Sequence, residues 1–276
     1  MACSVSELEQ SIYRVKKSIL QTAYECQKSA HIGGALSMAD ILTVLYKGYL
    51  RFDRDNTRWE DRDRFILSKG HCVLAYYAVL RECGILSDDM LAQFQKNGSS
   101  LGAHPTMNLE YGIESSNGSL GQGVSMAVGI AKAGKIKNEA YRVYTLIGNG
   151  ECNEGSVWEA AMLADQWTLD HLTIILDNNG MQSDGASEEI ISASGMAQKW
   201  AAFGFDVREI DGHNVPEICR AFEEKTQGKP KIVIANTVKG HGISFMENNN
   251  EWHHNRLTKK TYEQACMELE ESQRGL

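Results

Sequence analysis

Apolar residues along the chain fall into two rhythms. Short continuous runs rich in branched side chains, at 65–67, 143–147, 172–176 and 231–235, have the length and composition of strands buried in a parallel sheet. A further strand is expected at 206–210. Between them the apolar positions recur at helical spacing. Ile12, Val15, Ile19 and Ala23 mark a first helix running to about Lys28, opened by a Ser6–Glu9 capping box. Ser37 with Asp40 predicts a cap for a second helix over 38–49, and further helices are expected over 72–83 and 124–133. Ser156 and Glu159 form another capping box ahead of the Ala-rich segment to Ala164. Pro216 sits in the first turn of a helix, and the tail from Lys259 to Leu276 reads as an amphipathic helix with Tyr262, Cys266 and Leu269 on one side.

Strands that alternate with helices in this way build βαβ units. The expected fold is therefore α/β, a doubly wound, mainly parallel sheet flanked by helices, in one domain over residues 1–276. The polar and Gly-rich segments cluster after the strands: Lys69-Gly70-His71, Gly148-Asn149-Gly150, Asn178-Asn179-Gly180 and Lys239-Gly240-His241-Gly242. Open α/β sheets bind ligands at that carboxyl edge. Spacing excludes two phosphate loops. After Gly148 and Gly150 the next glycine is Gly155, too late for a dinucleotide fingerprint, and Ser156 stands where a nucleotide P-loop needs Lys.

Composition narrows the partners. The net charge of −8 opposes a nucleic-acid or anionic membrane surface, so a phosphorylated ligand must be held by local groups. The 7 cysteines are scattered without a CxxC pair, as expected of reduced thiols in a cytoplasmic protein. No apolar run reaches membrane-spanning length, and the first residues lack the basic start and apolar core of a signal peptide.

The turn at Gly148–Gly150, followed at the next strand end by Asn178-Asn179, resembles the signature of thiamine diphosphate enzymes. The runs Ser68-Lys69-Gly70-His71, His104-Pro105, Gly118-Ser119-Leu120 and Lys239-Gly240, with Trp252-His253 beyond it, are similar to those of transketolases. The resemblance covers nearly the whole sequence but only the diphosphate-binding (PP-type) third of a transketolase. It implies a divalent ion, Mg²⁺ or else Ca²⁺ or Mn²⁺, bound by Asn149, Asn179 and the carbonyl of Met181. Asn149 stands where the family has Asp, which implies a weaker metal site.

The resemblance also assigns roles. Gly150, Glu151, Glu154, Asn179, His71, Lys239 and His253 would face the cofactor diphosphate, and Gly118, Ser119 and Leu120 its rings. Glu154 also matches an interface Glu of the family. His31, His71, His104, His253 and Lys69 would form the catalytic shell, with His31 and His104 toward the sugar. His171 and His213 have no such match and read as loop or surface residues. The implied activity is transfer of a two-carbon glycolaldehyde unit from a ketose phosphate to an aldose. The pyrimidine-binding and C-terminal domains, with the Glu that activates the cofactor, are expected on a partner chain in an α2β2 assembly. Two other readings stay open: part of a deoxyxylulose phosphate synthase-like or dihydroxyacetone synthase-like enzyme, and a non-catalytic, cofactor-poor partner. The sugars are open too, including specialised carbon-source and sulfosugar substrates.

Overall fold

In the computed structural model, residues 3–192 and 194–274 are described. Five strands, β1 (Arg64–Leu67), β2 (Val143–Gly148), β3 (Leu172–Asn178), β4 (Asp206–Asp211) and β5 (Lys231–Asn236), form one sheet in the order β1-β2-β3-β5-β4. Every pairing is parallel. Each strand has a period of two and is covered on both sides, so alternate residues feed two separate cores. Phe65, Leu67, Tyr144, Leu146, Ile175 and Val233 pack in one core, while Ile66, Val143, Ile147, Ile174, Ile232 and Ile234 pack in the other.

The first face carries α1 (Val5–Glu25), α2 (Gly33–Val44), α3 (Val73–Glu82), the short α4 (Asp88–Leu91), α9 (Val215–Glu223) and α10 (Lys259–Arg274). The opposite face carries α5 (Gln122–Lys137), α6 (Gly155–Gln166) and α8 (Met196–Ala202); the short α7 (Ser187–Ile190) follows β3. The doubly wound expectation therefore holds. All five carboxyl ends lie along one edge.

The helix starts differ from expectation. The first capping box is Ser4 with Glu7, two residues earlier than Ser6 with Glu9, and the helix ends at Glu25, short of Lys28. The register follows burial, which places Leu8, Ile12, Val15 and Ile19 inward from a Val5 start. Helix α2 begins at Gly33 and not at Met38. Its Ser37 and Asp40 are fully enclosed in the helix interior, and its end continues as a π turn, Leu45–Tyr49. Packing explains the early start: a Cβ on Gly33 would lie 3.0 Å from the Trp252 carbonyl, and one on Gly34 2.6 Å from Cys72 Sγ. Helix α6 begins at Gly155 with Glu154 in the cap position, and no side chain caps it, so the Ser156–Glu159 box does not form. Helix α5 is longer than expected at both ends. A 3-10 turn, Gly70–Cys72, precedes α3.

Candidate active site

The floor of the site is a buried ion pair. Lys69 leaves the end of β1 and meets Asp177, near the end of β3, with side chains 2% and 0% exposed. Asp177 also accepts from Ser37 at 2.6 Å, from Asn179 at 3.0 Å and from Thr237. Burial opposes both charges, but each partner outweighs that cost for the other, so Lys69 is pushed up and Asp177 down. Three strand ends are thereby tied together under one cleft. Its volume is about 380 Å³, and it is lined by Lys69, His71, Gly150, Glu151, Asn179 and Lys239 among others.

On one wall, Asn149, Asn179 and Met181 converge. Asn149 directs Nδ2 to the Met181 carbonyl at 3.4 Å and to Ser187 Oγ, while Asn179 Oδ1 accepts from the Met181 N–H at 3.1 Å. Two amides and a carbonyl form an oxygen set of the kind a hard divalent ion takes, once the Asn149 amide turns its oxygen inward. Among the described residues no carboxylate is bonded to Asn149 or Met181: Asp177 is engaged below, where Asn179 donates to it, and Glu151 is engaged by Ser68, Gly121 and Gly148. Beside this wall Gln182, which also lines the cleft, holds a buried Nε2 without a partner. An unpaired donor there fits an anionic oxygen.

The loop of Gly118-Ser119-Leu120 forms the opposite wall. Gly118 and Leu120 line the cleft, while Ser119 is exposed and does not. Glu151 fixes this loop from below: its carboxylate accepts from the N–H of Gly121 at 2.8 Å and of Gly148 at 3.2 Å, and from Ser68 Oγ. Burial pushes its pKa up. Glu151 therefore ties β1, β2 and the Gly118–Gly121 loop together. Glu154 lines the cleft at the start of α6.

Above the floor five imidazoles gather. The ring of His31 lies 5.2 Å from that of His71, 5.9 Å from His104, 5.2 Å from His253 and 4.5 Å from His254. His31, His71 and His253 line the cleft; His104 stands outside it, packed over Gly118. Lys239 Nζ donates to the Gln182 carbonyl at 2.9 Å and to Asn250 Oδ1 at 3.0 Å, and lies 3.1 Å from His253 Nδ1. Burial, with Lys69 adding repulsion, pulls Lys239 down to about 8. Burial first, then repulsion from the neighbouring imidazoles, lowers His31 to about 3; burial and Lys239 lower His253 to about 4; burial and Lys69 push His71 down, and burial holds His104 below its usual value. At neutral pH the rings of His31, His71, His104 and His253 are uncharged donors and acceptors.

A stability prediction follows from the sign of these shifts. Between pH 6.5 and about 4 the unfolded chain binds protons on His31, His71 and His253 that the folded chain excludes, so stability falls with pH across that window. Below it the depressed carboxyls of Asp40 and Asp177 extend the loss. Urea midpoints measured from pH 7 to 4 should decline, and His31→Asn should flatten the curve.

Sequence reasoning missed a second cluster. His213 is a loop residue, as expected, but its ring is turned inward: its Nδ1 lies 2.6 Å from Asp40 Oδ2, its Nε2 accepts from the Val238 N–H at 2.9 Å, and it stacks on His241 at 3.4 Å. Among the described residues Asp40, His213 and His241 are the one group of three His, Cys, Asp or Glu side chains spaced to hold a metal. The Lys16 ammonium already stands there, 2.8 Å from Asp40 Oδ1 and 2.9 Å from His241 Nδ1. The cluster therefore acts as an anchor for the loop that delivers Lys239. His171, half-buried before β3, bonds the Ala131 carbonyl at 2.8 Å and stays outside the site. The signal for the anchor lay in α2, where Asp40 falls on a helix buried on all sides and needs a cation.

Known proteins are similar to this chain in sequence and fold. The sequence profile described as transketolase, thiamine diphosphate binding domain, matches residues 10–270. An apulose-4-phosphate transketolase subunit from Phocaeicola vulgatus is 40% identical over 269 residues, covering 97% of this chain and 95% of that protein. The 6-deoxy-6-sulfo-D-fructose transketolase subunit SqwG of a Clostridium sp. is 43% identical over 242 residues, covering 87% of this chain and 88% of that one. The crystal structure of transketolase from Campylobacter jejuni superposes with a TM-score of 0.88 at 29% identity, over 97% of this chain and 43% of its own length. No helix among the described residues is long and apolar enough to cross a membrane. The chain belongs to the transketolase family, within its thiamine diphosphate binding domain.

Proposed function

We propose that the chain is the diphosphate-holding half of a two-chain transketolase that moves a two-carbon ketol unit from a ketose to an aldose. The observation that carries the reading is the convergence of Asn149, Asn179, Met181, Gln182, Lys239 and His253 on one cleft at the carboxyl edge of the sheet. Thiamine diphosphate bound there would supply the carbon nucleophile and electron sink of ketol transfer. The chain's own residues do the rest. Asn149, Asn179 and the Met181 carbonyl would hold Mg²⁺ against the diphosphate, while Gln182 and Lys239 donate to its oxygens. Gly118 and Leu120 offer a flat approach to the rings. His31, His71 and His253, held neutral, can pass or accept a proton near the reacting carbon.

Relatives of almost the same length are named as subunits, which supports a partner chain. So does the face formed by α5 and α6. Met126, Met162 and Leu163 are 42%, 55% and 44% exposed on it, and both helices begin at the cleft, beside Gly121 and Glu154. A partner seated on these helices reaches the cleft. Two-fold symmetry then makes α2β2 the simplest assembly. The reading is tested by assaying the purified chain, alone and with its C-terminal partner chain, with xylulose 5-phosphate, ribose 5-phosphate, thiamine diphosphate and Mg²⁺. Turnover is expected only from the pair; sustained turnover by the chain alone would contradict it.

Asn149 offers a separate test. It is 2% exposed, and an amide there withholds one negative charge from the ion. Asn149→Asp should tighten Mg²⁺-dependent cofactor binding by about tenfold or more, roughly 1.4 kcal/mol. Without metal the same variant buries a carboxylate facing a carbonyl, so the apo chain should lose stability, by about 1–3 kcal/mol. Calorimetric titration and urea unfolding read the two effects. An unchanged affinity would remove Asn149 from the ligand set.

A further inference from the structure

His254 is the one member of the imidazole group that the sequence pattern passes over in favour of His253, and its placement is not accidental. Ala30 and Asn255 form an isolated antiparallel bridge, exchanging N–H···O bonds of 2.9 and 3.1 Å. In antiparallel pairing the next residues inward, here His31 and His254, face each other as a non-hydrogen-bonded pair, where side chains come closest. The observed ring separation is 4.5 Å. The bridge therefore fixes His254 beside His31 through the backbone.

The five rings divide into two tiers. His31, His71 and His253 line the cleft, and His104 and His254 stand outside it with His31 between the tiers. Both outer rings are exposed. Among the described residues only His253 of the five has a hydrogen-bond partner for its ring, Lys239 Nζ. A concentration of unused donors and acceptors around one opening suits a ligand that both donates and accepts. A chain of hydroxyl groups has that character; the neutral rings of His31 and His104 offer no charge to attract a phosphate.

Resting on the transketolase reading above, we propose that His254 is a specificity-determining residue that hydrogen-bonds the sugar hydroxyls beyond the transferred two-carbon unit, completing a shelf with His31 and His104. Long polyhydroxylated donors then gain a contact that a short keto acid cannot make. The test uses the complex with the C-terminal partner chain and compares xylulose 5-phosphate with hydroxypyruvate, which carries a transferable two-carbon unit but none of the further hydroxyls. His254→Gly should lower the ratio of kcat/KM for the sugar to that for the keto acid by about tenfold, mainly through KM, the scale of one hydrogen bond. His254→Asn, which keeps a donor and an acceptor, should restore part of the ratio. An unchanged ratio in an active complex would overturn the assignment, as would a parallel loss of thiamine diphosphate affinity. A wild-type complex inactive with both donors would instead overturn the underlying reading and this assignment with it.

Discussion

Lys69→Met is expected to destabilise the folded chain by about 3–5 kcal/mol, with a fall in melting temperature on the order of 10 °C. The reason is the charge it leaves behind. Asp177 is completely buried, and its remaining partners, Ser37, Thr237 and Asn179, are neutral donors. A carboxylate in that position must either remain ionised without a cation or take up a proton, and both cost free energy relative to the pair. Adding Asp177→Asn to Lys69→Met should recover part of the loss, since the orphaned charge is then gone. Thermal and urea unfolding of the single and double variants check this. Were Lys69 only a ligand contact, the single variant would unfold at the wild-type midpoint.

Gly70→Ala should act on the cofactor wall. A Cβ there would lie 2.4 Å from the carbonyl oxygen of Asn117 and 2.8 Å from its carbon. Backbone atoms cannot swing aside, so the segment leading into Gly118 and Leu120 must shift. Overpacking of this kind costs about 1–3 kcal/mol, and a displaced wall should weaken thiamine diphosphate binding by about tenfold or more. Gly48→Ala, at a position with open space around it, serves as the control. Comparable affinities for the two variants would show that the Asn117–Leu120 segment does not shape the cofactor site.

The sheet was legible because four of its strands are short apolar runs stopped by polar turns, the edge strand β4 being the polar exception, and the same turns named the site. Lys69, His71, Asn149, Asn179, Lys239 and His253 all follow strands or close the loops beyond them, and the structure gathers them at one edge. Helix starts were less legible. Capping rules weigh local hydrogen bonds, whereas Gly33-Gly34 starts a helix early because Trp252 and Cys72 pack against it, and Ser37 is drawn inward by Asp177. The partners in the buried ion pair and in the Asp40–His213–His241–Lys16 anchor were not legible for a related reason, although Asp40 on a wholly buried helix signals that some cation is needed. Lys69 and Asp177 lie 108 residues apart along the chain, and Lys16 and His241 225 apart, so only the fold brings them together. Ser119 points away from the cleft although its neighbours line it, an orientation that spacing does not encode.

The proposed function requires the cleft between Asn149, Asn179, Gln182 and Lys239 to be a metal-dependent diphosphate site. The direct measurement is a calorimetric titration of the purified chain with thiamine diphosphate, in Mg²⁺ and again in excess chelator. One site per chain is expected, saturable in Mg²⁺, with affinity about tenfold or more lower once the metal is removed. Equal affinity in both buffers, or no binding in either, would contradict it.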